Sequence, residues 1–343
     1  MVPLCVDLDG TLIRSDTLVE AGLSVIKHAP EQLLAVPSLL KQGKAALKAR
    51  LAEHANLDPA IYPYQQELLA FLKGERNRGR KLILVTAATE SIAQAVADHL
   101  GLFDQVMASD HTLNLKGEAK AKKLLEAFGE NGFDYAGDSQ ADLPVWTVAR
   151  RAIVVNPARG VLEAARRVAQ VEHVFQDPAV GIGTYLKAMR AHHWLKNLLV
   201  FVPLIAAHQV ADPVAFGKLL IAFIAFGLTA SSVYLLNDLL DLGADRNHPV
   251  KCQRPLASGA LSVWSAGALI PALMLGAALV SLPLPGRFIG LLALYYLCTL
   301  AYSVWLKRVM MVDVLTLAWL YVLRIMAGTA AVKISLSFWL FAF

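Results

Sequence analysis

From His192 to Phe343 there is not one glutamate, and only five aspartates are present. Charge is scarce in the chain as a whole. Asp, Glu, Lys and Arg make up 17% of the 343 residues, against about 25% in an ordinary soluble protein. The shortage starts near residue 190 and places a domain boundary there. Cysteine is scarce too. Cys5, Cys252 and Cys298 are scattered, so they give neither a disulfide framework nor a metal-ligand spacing; they are expected to be buried or incidental thiols. No basic patch interleaved with aromatics occurs, so the net charge of +5 does not point to nucleic acid. Lys and Arg after residue 190 instead flank apolar runs, which directs them to a membrane surface. The N-terminus lacks the basic region and apolar core of a secretory signal. The first half is therefore expected in the cytosol, with the first membrane helix acting as insertion signal.

The first half alternates short apolar runs with amphipathic stretches. Strands are predicted at Leu4 to Val6, Leu82 to Val85, Gln105 to Ala108, Tyr135 to Ala136 and Ala152 to Val155, with helices such as Ile92 to Leu100 and Lys120 to Phe128 between them. That rhythm implies an α/β domain over residues 1–180, a parallel sheet wrapped by helices. Residues 13–80 break the rhythm and are read as an inserted helical cap. A basic amphipathic linker is expected over 181–194, carrying Lys187, Arg190, His192 and His193. Beyond it, residues 195–343 read as an all-α transmembrane bundle. Apolar spans are predicted at 195–211, 214–238, 262–284, 286–306 and 309–332, each near the ~20 residues that cross a bilayer, with the start of a sixth at Ser335 to Phe343. Arg246, Lys251, Arg254, Lys307 and Arg308 fall in loops on one side and only Arg287 on the other, which puts the first domain and those loops inside.

Asp7-Leu8-Asp9-Gly10-Thr11 follows the first apolar strand. Two carboxylates two residues apart suit phosphoryl transfer: one attacks phosphorus, the other handles the proton on the leaving oxygen. Thr86 ends the second strand, where a hydroxyl can hold a phosphate oxygen, and Lys120 opens an amphipathic helix. Asp138 and Asp142 lie in Gly137-Asp138-Ser139-Gln140-Ala141-Asp142, where a further carboxylate can complete a Mg²⁺ site. These four elements in this order resemble the haloacid dehalogenase (HAD) phosphatase superfamily over residues 1–175. The resemblance implies a Rossmann-like fold with Asp7 as nucleophile, Asp9 as acid/base, and Mg²⁺ held by Asp7, the Asp9 carbonyl and Asp138. It assigns Thr86 to the phosphate and the lysine to Lys120, with Lys116 as runner-up.

The second constellation is Asn237-Asp238-Leu239-Leu240-Asp241, followed by Asp245. Their spacing predicts one side of one helix. Carboxylates at a membrane edge are costly and usually mark a site. Arg246, Lys251 and Arg254 follow, the last in Arg254-Pro255-Leu256-Ala257-Ser258-Gly259. Acids on a helix followed by cations form a Mg²⁺–diphosphate cradle, suited to departure of diphosphate from an activated carbon. The pattern resembles the UbiA prenyltransferase superfamily. His193-Trp194-Leu195-Lys196-Asn197 and Tyr302-Ser303-x-x-Leu306-Lys307 are most similar to its decaprenyl-phosphate phosphoribosyltransferase branch. The resemblance implies Asn237, Asp238, Asp241, Asp245, Arg246, Lys251 and Arg254 around the diphosphate, with Asp238, Asp241 and Asp245 on its Mg²⁺. Members have about nine helices and a second acidic or charged motif. A chain ending at Phe343 is therefore expected to be a fragment or a short form whose membrane half does not turn over. Asp313 and Arg324, inside the fifth span, are candidates to pair or to line the site.

The expected function is a bifunctional enzyme of lipid-linked sugar synthesis in the cytoplasmic membrane. The membrane half would transfer 5-phosphoribose from phosphoribosyl diphosphate to a polyprenyl phosphate, and the HAD half would remove the 5-phosphate. One alternative is prenyl transfer from a prenyl diphosphate to an aromatic acceptor, beside an unrelated phosphatase. Another is a non-catalytic membrane fragment with an active phosphatase only.

Overall fold

The computed structural model describes residues 1–38, 44–55, 57–110 and 114–334. The expected start of a sixth span, Ser335 to Phe343, lies outside them. The chain divides into two compact units. One comprises Met1–Val180, Leu242–Gln253 and Ala257–Val263; the other comprises Gly181–Asp241, Arg254–Leu256 and Trp264–Phe343.

The first unit is built on six strands: β1 (Leu4–Val6), β2 (Leu82–Thr89), β3 (Gln105–Ser109), β4 (Asp134–Gly137), β5 (Arg151–Val155) and β6 (Val171–Phe175). All pairings are parallel, in the order β3-β2-β1-β4-β5-β6. A parallel sheet is covered on both faces, so its strands read as continuous apolar runs. Side-chain alternation then divides them between two cores. Leu4, Val6, Leu82, Leu84 and Ile153 enter one; Cys5, Ile83, Val85, Tyr135 and Val154 enter the other. Burial pushes the Cys5 thiol up to about 12, which makes it a packing residue. The chain runs β1 to β3 one way and then returns across β1 to β4. That reversal opens a crevice at the carboxyl ends of β1 and β4, where ligands bind in such sheets.

Helix α1 (Thr17–His28) follows β1, with Asp16 as N-cap accepting from the Leu18 and Val19 amides. With α2 (Lys44–His54) it forms a small cap, whose Ala21, Val25 and Leu51 share a separate cluster. Helix α3 (Gln66–Asn77) differs from the sequence expectation. It buries Leu68, Leu69 and Leu72 in the sheet core, so it belongs to the α/β layer and the cap ends before it. Helices α4 (Glu90–Leu100), α5 (Glu118–Phe128), α6 (Leu143–Val148) and α7 (Val161–Val168) complete the layers. Strand β6 was not predicted: Val171-Glu172-His173-Val174-Phe175 carries three exposed residues on the sheet edge and lacks the apolar signature.

The second unit begins with α8 (Ile182–Ala188), an extended 3-10 segment (Ala191–Phe201) and α9 (Val202–Ala206). Then comes α10 (Pro213–Leu240), started by Asp212, which caps the Val214 and Ala215 amides. The short α11 (Leu242–Arg246) lies in the first unit. Helices α12 (Val263–Ser281), α13 (Gly286–Val304) and α14 (Val312–Val332) complete the order. Among the described residues, four helices are long and apolar enough to cross a membrane: α10, α12, α13 and α14. The span expected over 195–211 is not one of them. The stretch is 3-10 up to Phe201, and Pro203 lies in the first turn of the short α9, where its missing N–H costs nothing, so no single long helix forms here. Part of that stretch packs inward, while Leu195, Leu198 and Ile205 stay exposed. Trp194 lies on Gly227 of α10, where an added Cβ would come within 2.6 Å of the indole. Val200 and Leu204 join Phe226, Phe288, Tyr295 and Leu323 in the core.

Candidate functional site

In the first unit, the strand ends bring the predicted acids together. Asp7 leaves β1 with its amide bonded to the Ala136 carbonyl at 3.0 Å. Carboxylate oxygens of Asp7, Asp138 and Asp142 lie within 4.8 Å of one another. Lys120 Nζ enters from α5 at 3.0 Å from Asp7 and 3.7 Å from Asp142, and donates to the Tyr135 hydroxyl at 2.8 Å. Lys116 is exposed. Gly10 takes φ +76°, and a Cβ there would run into the Asp138 carboxylate. We expect Gly10→Ala to cost ~1–2 kcal/mol in backbone strain alone and to cut phosphomonoesterase turnover at least tenfold. Turnover at the wild-type rate would show that the close approach of loop and carboxylate is dispensable.

Asp9 turns toward α1 and accepts from the Thr17 amide at 2.8 Å and the Thr17 hydroxyl at 3.2 Å. Burial, reinforced by Asp16, pushes Asp9 up to about 7, where a carboxyl can both give and take a proton. Burial likewise raises Asp7 to about 6, against the pull of Lys120, and Asp138 to about 8. Burial alone would lower Lys120, but Asp7 and Asp142 outweigh it and hold the ammonium protonated. Thr86 is fully buried where the β2–β3 register shifts, and its hydroxyl accepts from the Ala88 amide at 3.0 Å. Crowded oxygen donors with a single ammonium suit a hard divalent cation such as Mg²⁺.

The second unit carries an acid–cation array at the end of α10. The expectation of one helical face does not hold for all four residues. Helix α10 stops at Leu240 and Asp241 becomes its C-cap, while Asp245 sits on α11 in the first unit. Asn237 remains on the last turn, its carbonyl accepting from the Asp241 amide at 2.8 Å. Buried Asp238 accepts from Arg190 and, at 3.2 Å, from Arg254. Lys307 Nζ lies 3.2 Å from Asp241. Arg190 also stacks on Tyr234, 5.0 Å from the ring centre, one turn along α10. Within the first unit, Arg246 donates to both Glu20 oxygens at 2.8 Å, and Lys251 is exposed.

Residues 4–146 match the family model for haloacid dehalogenase-like hydrolases, and residues 198–343 match that for the UbiA prenyltransferase family. The chain joins a HAD domain to a UbiA domain. The protein y4nM of Sinorhizobium fredii is 42% identical across 100% of this chain and 66% of its own length. A decaprenyl-phosphate phosphoribosyltransferase of Mycolicibacterium smegmatis is 37% identical over 160 residues, 45% of this chain and 50% of that protein. The chain thus spans about half to two thirds of the length of these relatives. A HAD family hydrolase structure from Salmonella enterica serovar Typhi is 16% identical, covers 51% of this chain and 68% of its own, and has a TM-score of 0.37.

The sequence pointed to Asp142 without giving its role, and left Arg190 and Lys307 out of the cradle. In the HAD domain, Asp142 takes the Tyr135 hydroxyl at 2.8 Å on one oxygen. On the other it takes the Asp138 and Ser139 amides, at 3.2 and 3.1 Å. It therefore fixes the loop that presents Asp138. Its signal was a second Asp four residues after the first. In the UbiA domain, Arg190 joins Arg254 on Asp238, and Lys307 reaches Asp241. Both lie outside the cradle expected from the sequence. Asp313 and Arg324 share α14 and do not pair; Asp313 accepts from its neighbouring Val314 amide.

Proposed function

We propose that the protein is a bifunctional membrane enzyme that makes a lipid-linked ribose. The UbiA domain would transfer 5-phosphoribose from phosphoribosyl diphosphate to a polyprenyl phosphate. A phosphate oxygen of the lipid attacks C1 of the ribose, and the bond from C1 to the diphosphate breaks. Asp238 and Asp241 would hold a Mg²⁺ that neutralises the departing diphosphate, with Arg190, Arg254 and Lys307 on the remaining oxygens. The HAD domain would then remove the 5-phosphate. Asp7 attacks phosphorus, Asp9 protonates the leaving ribose oxygen, and water hydrolyses the acyl-phosphate. Asp7, Asp138 and the Asp9 carbonyl would hold its Mg²⁺, while Lys120 and Thr86 take phosphoryl oxygens. Tethering places the phosphatase within reach of each new phosphoribosyl lipid. Both sites would face the cytosol, with the spans in the cytoplasmic membrane.

The observation that carries this reading is the set of guanidiniums and ammonium converging on two carboxylates at the end of α10, in a domain similar to phosphoribosyltransferases. Calorimetry with phosphoribosyl diphosphate tests it. Binding should require Mg²⁺ and weaken about a hundredfold in Asp241→Asn, since losing a metal-ligating carboxylate costs several kcal/mol, while phosphatase activity stays unchanged. Binding that ignores both the metal and Asp241 would sink the cradle. Selective binding of a prenyl diphosphate would favour prenyl transfer instead.

A further inference from the structure

Arg324 is the one charged side chain that α14 buries in the core of the second unit, at 5% exposure. Its Nε donates to Asn197 Oδ1 at 3.0 Å, one terminal nitrogen to the Leu320 carbonyl at 2.6 Å, and the other to the Tyr295 hydroxyl at 2.8 Å. The guanidinium lies 4.8 Å from the centre of the Tyr295 ring and 5.5 Å from that of Tyr321. Every one of these partners is neutral. Among the described residues no carboxylate lies within ion-pairing distance of Arg324. A buried charge without a counter-charge is strongly disfavoured, above all inside an apolar span.

A second observation comes from Asn197. Arginine only donates, so the amide oxygen of Asn197 must face it, which fixes the orientation of the amide. Its Nδ2 is buried, in a residue 1% exposed, and has no hydrogen-bond partner. The guanidinium, with five N–H groups, also keeps donors beyond the three bonds it makes. A fixed positive charge and spare donors, without acceptors, describe a seat for an oxyanion. Tyr321, 40% exposed, flanks the guanidinium.

We propose that Arg324 and Asn197 seat the phosphate monoester of the lipid acceptor. This rests on the phosphoribosyl-transfer reading of the same domain. The donor's diphosphate belongs with Asp238 and Asp241. An attacking phosphate must approach C1 from the far side, deeper along the bundle, with its prenyl chain leading into the apolar interior. Tyr234, one turn or about 6 Å from Asp238 along α10, marks that direction, and Tyr295 packs 4.9 Å from Phe226 further along the same helix. The acceptor phosphate supplies a counter-charge that Arg324 does not find among the described residues.

The decisive variant is Asn197→Asp. It is nearly isosteric and puts a carboxylate 3.0 Å from Nε, so the guanidinium acquires an internal counter-ion. The full chain in detergent is titrated with farnesyl phosphate, farnesol, inorganic phosphate and Mg²⁺–phosphoribosyl diphosphate, and its melting temperature is measured. Wild-type protein should bind farnesyl phosphate at least tenfold more tightly than farnesol or inorganic phosphate. Asn197→Asp should melt at an equal or higher temperature and lose at least tenfold in farnesyl phosphate affinity. Arg324→Gln should lose the same, and both should bind phosphoribosyl diphosphate as the wild type does. A stabilised Asn197→Asp protein with undiminished farnesyl phosphate binding overturns the seat and leaves Arg324 a packing clamp. Arg324-dependent binding of inorganic phosphate with no gain from the prenyl chain overturns the lipid assignment. Failure of the wild type to bind phosphoribosyl diphosphate strikes the parent reading, while the farnesyl phosphate titration still judges the seat.

Discussion

Asp7→Asn should abolish Mg²⁺-dependent phosphomonoester hydrolysis, by at least about three orders of magnitude, as losses of covalent nucleophiles do. The amide is close in shape and keeps the side chain at the mouth of β1, but it cannot form an acyl-phosphate. Its environment makes the change clean. Asp7 receives the Leu8 amide on Oδ1 at 2.8 Å and Lys120 at 3.0 Å. Lys120 keeps Tyr135 and Asp142 as partners when Asp7 loses its charge. The variant should therefore fold, with an unchanged circular dichroism spectrum and melting temperature within a few degrees. Purified Asp7→Asn protein that still turns over a phosphomonoester would transfer the nucleophile role elsewhere.

The second large effect is on stability. Asp134, at the start of β4, is fully buried and gathers two guanidiniums. Arg150 donates at 2.9 and 2.6 Å, and Arg80 donates as well. Arg80 also pairs with Glu75 at 2.7 Å and bonds the Val2 carbonyl at 2.9 Å. The network ties α3, the β2 entrance and β4 together beneath the sheet. Asp134→Ala would leave Arg80 buried with one acid where it had two. Breaking a buried pair this way costs about 3–5 kcal/mol, a large part of a domain's total of about 5–15 kcal/mol. Denaturant titration of the full chain should show the HAD transition shifted down by that amount while the phosphatase site remains chemically intact. A shift below about 1 kcal/mol would mean that water reaches the pair. Burial alone would raise Glu75, but Arg80 and Arg78 outweigh it and hold the carboxyl below its usual range. Its contribution is therefore complete above the ordinary carboxylate range, and it disappears as the pH falls through the depressed value.

The HAD sheet was legible because parallel strands buried on both faces are apolar throughout, and five of six stood out. Strand β6 escaped because an edge strand can expose Glu172 and His173. The phosphatase elements were legible because Asp7 and Asp138 directly follow β1 and β4, while Thr86 lies in the apolar β2 and Lys120 in the first turns of an amphipathic helix. Asp142 was harder to see: its part is to brace Asp138, and bracing has no fixed spacing in sequence. In the UbiA domain, hydropathy located α10, α12, α13 and α14. It failed at 195–211, because an apolar run records burial and not the conformation that achieves it. The acid array was legible by composition but not in geometry, since helical periodicity cannot show that α10 ends one residue before Asp241.

The glycines facing the 3-10 segment give that failure a wider meaning. Trp194 rests where Gly227 has no side chain, and Gly328 of α14 lies against the Val200 backbone, whose carbonyl carbon would be 2.9 Å from an added Cβ. The shape of one short segment is therefore written in two distant helices, as missing atoms. Substitutions at 194 and 227 should behave as a linked pair. A side chain gained by Gly227 can be tolerated only with a smaller ring at Trp194. At Gly328 no such exchange exists, because the neighbour is main chain and cannot be trimmed. Position 328 should thus refuse every other amino acid, whatever substrate the enzyme handles.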